Sequence, residues 1–290
     1  MIVDCHVHVW GELTGYWKPL RYGRVLDDGQ VRQAFPPALD PVTCPPEVML
    51  AYMDQVGVDR AWLVQHYLYG DQNALFLDAI KRHHDRLVGF AYLGPLDQPE
   101  APDDLERLVE AGLTGLKVEV PKTRVLRPSF RFDGEPEWRL WERLNEIGRP
   151  LVLDLIDCPA SDVAALTEVV DAFPRIRFVV CHLGGAPKGH WREQALLATR
   201  PNVWTDLAYL PGLCGPDEEY PFPRAQELVR WAVEHVGADK ILWGTDSPGA
   251  LNYGTYRQLL DFVRKHCDFL TDEQRAAILG GNAERALAGL

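Results

Sequence analysis

No apolar run in the 290-residue chain reaches the ~20 residues that a membrane-spanning helix needs. A cleaved leader is not expected either, because the apolar start Met1-Ile2-Val3 breaks at once on Asp4-Cys5-His6. Positive charge is also scarce. Lys and Arg number 30 against 42 Asp and Glu, a net charge of −12, which argues against a general nucleic-acid or anionic-membrane surface. The six cysteines (Cys5, Cys44, Cys158, Cys181, Cys214, Cys267) include no C-x-x-C pair. A disulfide framework and a structural zinc knuckle are therefore not expected, and buried free thiols in a reducing cytoplasm are. No internal sequence repeat is present, and no glycine-rich phosphate loop follows the first β-rich run. That second absence sets aside an open doubly wound sheet.

What is present is a rhythm. β-rich runs at Ile2–Val9, Arg60–Gln65, Leu87–Leu93, Gly115–Val120, Pro150–Ile156, Arg177–Cys181, Asn202–Leu207 and Lys240–Gly244 are mostly apolar on both faces, as strands of a buried parallel sheet are. Amphipathic stretches at Pro46–Gln55, Asn73–His83, Asp103–Ala111, Pro136–Ile147, Ser161–Phe173, Trp191–Ala198, Pro223–Val236 and Thr255–Lys265 lie between them. Thr271-Asp-Glu-Gln274 reads as a capping box, Gly280-Gly281 as the stop of that helix and Asn282 as the cap of a last one. The alternation predicts an α/β fold, a single (β/α)8 TIM barrel over residues 1–290.

One connection breaks the rhythm. Residues 10–46 form a long insertion after strand 1, rich in Trp10, Tyr16, Trp17, Tyr22 and Phe35 and so too aromatic for a disordered linker. Arg24–Arg32 reads as a hairpin with Asp28-Gly29 at its turn. Either the insertion is a lid over the barrel mouth or it only covers apolar surface.

In Asp4-Cys-His6-Val-His8, strand alternation points both histidines the same way. Two imidazoles on one face at a barrel rim suit a divalent metal. Strand 6 ends on His182 (Val179-Val-Cys-His182-Leu-Gly-Gly185) and strand 8 on Asp246 (Leu242-Trp-Gly-Thr-Asp246-Ser-Pro248). A barrel brings the carboxyl ends of all strands to one mouth, so these residues converge on a metal and proton-transfer site. Singly, Asp246 also reads as a turn aspartate and His182 as a core histidine held by a backbone carbonyl.

With these motifs and the terminal Gly281-Asn-Ala-Glu-Arg-Ala286, the chain resembles the amidohydrolase-related (amidohydrolase 2) metal-dependent hydrolases of the amidohydrolase superfamily over nearly its whole length. The resemblance implies metal ligation by His6, His8 and Asp246, with His182 an acid/base or an additional ligand. It implies zinc, with manganese as the alternative, and because some lactonase relatives work without metal, metal-free action stays open. Many members carry a metal-binding histidine at the end of strand 5, where this chain has Asp154. Asp154 or Glu119 of strand 4 is expected to take its place as a ligand, while pairing of Glu119 with Lys117 on the same face is the alternative.

His66 and Tyr67 after strand 2, Lys117, Arg124 and the insertion's Trp10 are expected to grip the substrate. Lys122, Arg124, Arg127 and Arg131 make a local basic cluster that either attracts a carboxylate substrate or pairs with the acidic surface. The function expected is hydrolysis of a small lactone or related ester by metal-activated water, with Asp246 as general base. A non-oxidative decarboxylase of a small carboxylic acid is the alternative, and a non-catalytic acid-binding barrel is a further one. A small-molecule substrate is the expected partner, with no nucleic acid and no membrane, and the chain is expected to be a homodimer.

Overall fold

Strands buried on both faces must be covered by helices on one side and by each other on the other, and the apolar runs of this chain do both. The computed structural model describes the backbone of residues 1–290 and every side chain except those of Lys122 and Leu126, so Lys122 of the basic cluster lies outside the described residues. The strands are β1 (Val3–Val7), β2 (Lys18–Pro19), β3 (Arg24–Asp27), β4 (Gln30–Gln33), β5 (Arg60–Leu63), β6 (Leu87–Ala91), β7 (Gly115–Glu119), β8 (Pro150–Asp154), β9 (Arg177–Val180), β10 (Val203–Asp206) and β11 (Ile241–Leu242). Eight of them form one sheet in the order β1-β5-β6-β7-β8-β9-β10-β11, with every pair parallel.

Backbone hydrogen bonds close the two ends of that sheet. Cys5 N–H donates to Trp243 O at 3.0 Å, Asp246 N–H to His6 O at 2.8 Å and His8 N–H to Ser247 O at 2.8 Å. Gly244 permits the approach, since a Cβ there would lie 2.9 Å from that of His6 and 3.1 Å from Cys5 Sγ. The TIM barrel expected from the alternation is the fold observed.

The helices are α1 (Pro46–Val56), α2 (Asn73–Arg82), α3 (Ala101–Glu110), α4 (Val120–Leu126), α5 (Glu135–Ile147), α6 (Ala160–Ala172), α7 (His182–Gly185), α8 (Trp191–Leu196), α9 (Leu210–Leu213), α10 (Pro223–His235), α11 (Tyr256–Asp261), α12 (Asp272–Ala276) and α13 (Asn282–Ala286). The capping box at Thr271 forms, and a second one forms at Thr255.

The expected stop at Gly280-Gly281 does not occur. The chain passes through a π turn, Ala277–Gly281, straight into α13. Gly280 serves close approach instead, because a Cβ there would meet Met1 O at 2.4 Å. Asn282 is helical and buried rather than a cap, and its amide donates to Ala238 O at 2.7 Å and Ile241 O at 2.6 Å, fastening β11.

The insertion folds over the barrel mouth. β2, β3 and β4 form a small antiparallel sheet, and Asp28 (φ 48°) and Gly29 (φ 77°) make the tight turn between β3 and β4. The segment before it lies against the loop after β5 through Thr14 N–H to Tyr69 O at 3.0 Å and Trp17 N–H to Leu68 O at 3.2 Å. All six cysteines are free, and five of them are buried. No helix among the described residues is long and apolar enough to cross a membrane.

Candidate active site

Three histidines at the carboxyl end of the barrel have one ring nitrogen each held by an acceptor. His6 Nδ1 lies 3.0 Å from Asp206 Oδ2, His8 Nδ1 2.8 Å from Val64 O and His182 Nδ1 2.9 Å from Ala208 O. A carbonyl can only accept, and a carboxylate does so when ionised, so each Nδ1 carries a proton, and in the neutral ring each Nε2 keeps a lone pair. The rings crowd together, with centroids 5.1 Å apart for His6–His8 and 4.8 Å for His6–His182. Asp246 Oδ1 stands 2.8 Å from His8 Nε2. Such a contact between two electron-rich atoms requires a proton or a cation between them. His6, His8 and Asp246 offer ligand atoms within 4.8 Å of one another, and so do His6, Cys181 and His182.

The backbone is bent to achieve this. His182 (φ 59°) and Asp246 (φ 64°) both occupy the left-handed region, which favours glycine and is costly for other residues. Asp206 and Asp4 hold the two turns. Asp206 Oδ1 accepts His182 N–H at 2.7 Å and Ala208 N–H at 3.0 Å, while its other oxygen faces His6. Asp4 accepts Thr245 N–H at 2.9 Å, Thr245 Oγ1–H at 2.7 Å and Tyr256 O–H at 2.8 Å, which fixes the residue before Asp246.

Electrostatics follow the geometry. Burial alone would raise the Asp246 carboxyl, but the hydrogen bond from His8 and the nearby imidazoles hold it well below the usual carboxylate range. Burial opposes charge on His182, yet Asp154, Asp206 and Asp246 together raise it above the ordinary histidine value. Burial is outweighed at Asp206 too, which the His6 contact lowers to about 2.

His66 has the opposite tautomer. Its Nδ1 accepts Leu68 N–H at 3.2 Å, so its Nε2 carries the proton and faces Glu119 Oε2 at 2.8 Å. Burial, then the neighbouring His8, pushes it well below the ordinary histidine value, so it is neutral.

Glu119, expected as a ligand, faces His66, is in neither group of three and lines the same cavity as both. Asp154 belongs to neither group of three but lies beside the second. One of its oxygens accepts Ile156 N–H at 2.9 Å and the other lies 3.7 Å from His182 Nε2. Lys117 donates to Cys181 Sγ at 3.1 Å. Burial opposes its charge, but Cys181, Asp154 and Glu119 offset this and raise it above the ordinary lysine value.

These groups line a cavity of about 200 Å³ that also includes His66, Lys117 and Glu119. Three expected substrate contacts, Trp10, Arg124 and Tyr67, do not line it. Trp10 is completely buried below, where its indole N–H donates to Val42 O at 3.0 Å, and from the insertion it is Trp17 and Phe35 that line the cavity. Arg124 is held by both oxygens of Asp162 through a two-pronged contact. Arg131 is likewise held by Asp133. Tyr67 lines a neighbouring cavity that shares Lys117 and Glu119 with the first. Asp206, Cys181 and Tyr209 complete the surroundings and were not singled out as site residues from the sequence. Asp206 had one signal, its place at the end of a strand next to that of His182.

Comparison with known proteins agrees with this architecture. The family model described as Amidohydrolase matches residues 3–288. The chain is 27% identical to an L-fucono-1,5-lactonase of Burkholderia ambifaria, over 97% of this chain and 93% of the relative. It is 23% identical to a 4-sulfomuconolactone hydrolase of Hydrogenophaga intermedia, over 97% of this chain and 87% of the relative. Among solved structures, an amidohydrolase of Burkholderia multivorans with bound zinc superposes with a TM-score of 0.72 at 18% identity, covering 99% of each chain.

Proposed function

The chain belongs to the amidohydrolase family, and from that premise we propose that it hydrolyses a lactone or a related ester of a carboxylic acid, using a divalent cation, zinc before manganese, held by His6, His8 and Asp246. The observation that carries this reading is the pair His6 and His8, whose Nδ1 atoms are committed to acceptors and whose ligand atoms gather with that of Asp246 within 4.8 Å of one another. Two imidazole nitrogens and a carboxylate oxygen are the donor set that zinc and manganese accept. When bound, the cation lowers the pKa of a water toward ~7 and polarises the carbonyl under attack.

The remaining steps belong to side chains. Asp246 is ionised across the neutral range and takes the proton of the attacking water. His182, whose charged form its three neighbouring carboxylates favour, stabilises the developing oxyanion and returns a proton to the leaving alkoxide. Trp17 and Phe35 from the insertion exclude bulk water from the cavity they line. The lactonase names among the relatives support this substrate class over amides, whose leaving group needs stronger protonation.

The test is a lactone panel read by acid release, together with metal content. Chelation is expected to stop turnover and zinc to restore it. Asp246→Asn and His182→Asn are each expected to lower kcat about 10²–10⁴-fold. Full activity in both variants would overturn the roles. Release of CO₂ from a carboxylic acid, with no ring opening, would replace the reaction by decarboxylation.

A further inference from the structure

Beside the imidazole cavity lies a larger one of about 500 Å³, set at the carboxyl ends of β5, β6 and β7. The two share Lys117 and Glu119 in their linings, which sets the second cavity directly beside the first. The charges there are already balanced. Arg127 lies with Nε 2.7 Å from Asp97 Oδ2 and Nη1 3.0 Å from Glu137 Oε1, so two carboxylates face one guanidinium. The other cation, Lys117, rests on Cys181 Sγ and is surrounded by the fields of Asp154 and Glu119. Among the described residues, then, every cation that lines this cavity is matched by acidic groups. A substrate carboxylate entering it would lose its water and meet like charge.

Hydroxyl groups fit the same lining. Asp97 and Glu119 present carboxylates, which accept from hydroxyls, and Tyr67 and Tyr92 bring phenols that both donate and accept. Burial raises both phenols above their ordinary value, so they stay neutral. Leu93, Pro95 and Val118 supply apolar wall for the C–H face of a ring.

We propose that this second cavity recognises the non-reacting part of the substrate and that this part is neutral and polyhydroxylated, as in the lactone of a sugar acid. The proposal rests on the lactonase reading above and narrows it.

The experiment measures kcat/KM for three lactone types of matched ring size: polyhydroxylated and neutral, unsubstituted, and carboxylate-bearing. The polyhydroxylated compounds are expected to exceed both others at least about tenfold. In Tyr92→Phe the ratio of hydroxylated to unsubstituted lactone is expected to fall about fivefold, the worth of one hydrogen bond. In Asp97→Asn, which leaves Arg127 with one carboxylate fewer, the ratio of carboxylate-bearing to neutral lactone is expected to rise severalfold. The two variants act on different ratios, so misfolding of one leaves the other decisive. Preference of the parent enzyme for carboxylate-bearing lactones, or unchanged ratios in the folded variants, would overturn the proposal alone. Failure to open any lactone would overturn the lactonase reading and the proposal with it.

Discussion

Changing Asp206 to asparagine replaces one carboxylate oxygen by an NH₂ group and removes a negative charge with almost no change of shape, and its outcome follows from the hydrogen bonds around it. Oδ1 accepts two backbone N–H groups, from His182 at 2.7 Å and Ala208 at 3.0 Å, and Oδ2 faces His6 Nδ1 at 3.0 Å. In Asp206→Asn the amide oxygen must keep the Oδ1 place, because an NH₂ group there would oppose two donors. The NH₂ group is then forced against His6 Nδ1. To accept from it, His6 must move its proton to Nε2, which removes the lone pair that faces the cluster. Loss of such a supporting contact typically costs ~10–100-fold in metal affinity, or about 1.4–2.8 kcal/mol. If His6 instead keeps its tautomer, two buried donors face each other, and the fold loses about 1–3 kcal/mol.

Three measurements separate these outcomes: zinc affinity by competition with a chromophoric chelator, the His6 tautomer by ¹⁵N NMR, and thermal unfolding without metal. Zinc affinity within twofold of the parent, an unmoved tautomer and unchanged stability, found together, would refute the reasoning.

Two other sites yield sharp expectations. At Gly15 a Cβ would lie 2.3 Å from Tyr67 O and 2.4 Å from Gly70 N, so Gly15→Ala is expected to lift the insertion from the loop after β5. KM should then rise more than kcat falls, with a stability loss of about 1–3 kcal/mol, and unchanged KM would speak against the insertion shaping the site. Asp261 is bound by Arg264 and by Lys265 at 2.9 Å, and although burial raises its pKa, these cations bring it below the ordinary carboxyl value. A depressed folded-state pKa gives stability that is present above the unfolded value of ~3.9 and fades as pH falls through the folded one. The Tm difference between the parent and Asp261→Asn should therefore favour the parent at neutral pH and shrink below pH ~4. A difference independent of pH would contradict the assignment.

How much of this was legible beforehand depended on whether a signal was periodic. Parallel strands covered on both sides leave continuous apolar runs, so all eight barrel strands stood out, including the short β11. The alternation of residues along a strand put His6 with His8 and Lys117 with Glu119 on shared faces, and the convergence of strand ends joined the first pair to Asp246. Periodicity says where a side chain points but not what it meets. Glu119 does point inward, yet its partner His66 comes from an irregular loop that no pattern locates. Within the insertion nothing periodic distinguishes Trp10 from Trp17, and hydrogen bonding decided it: Val42 O took the indole of Trp10 into the core and left Trp17 at the cavity.

Asp206 is the sharpest case. It is one of 42 acidic residues, and its importance arises because β10 lies beside β9 and within reach of a histidine 200 positions earlier. The same carboxylate orients the His6 ring and holds the left-handed backbone of His182. A group that sets both the His6 tautomer and the His182 turn ties β1 to the end of β9 through one side chain. Weakening it should therefore disturb the proposed ligation by His6 and the proposed proton delivery by His182 together, and by more than the sum of two separate losses.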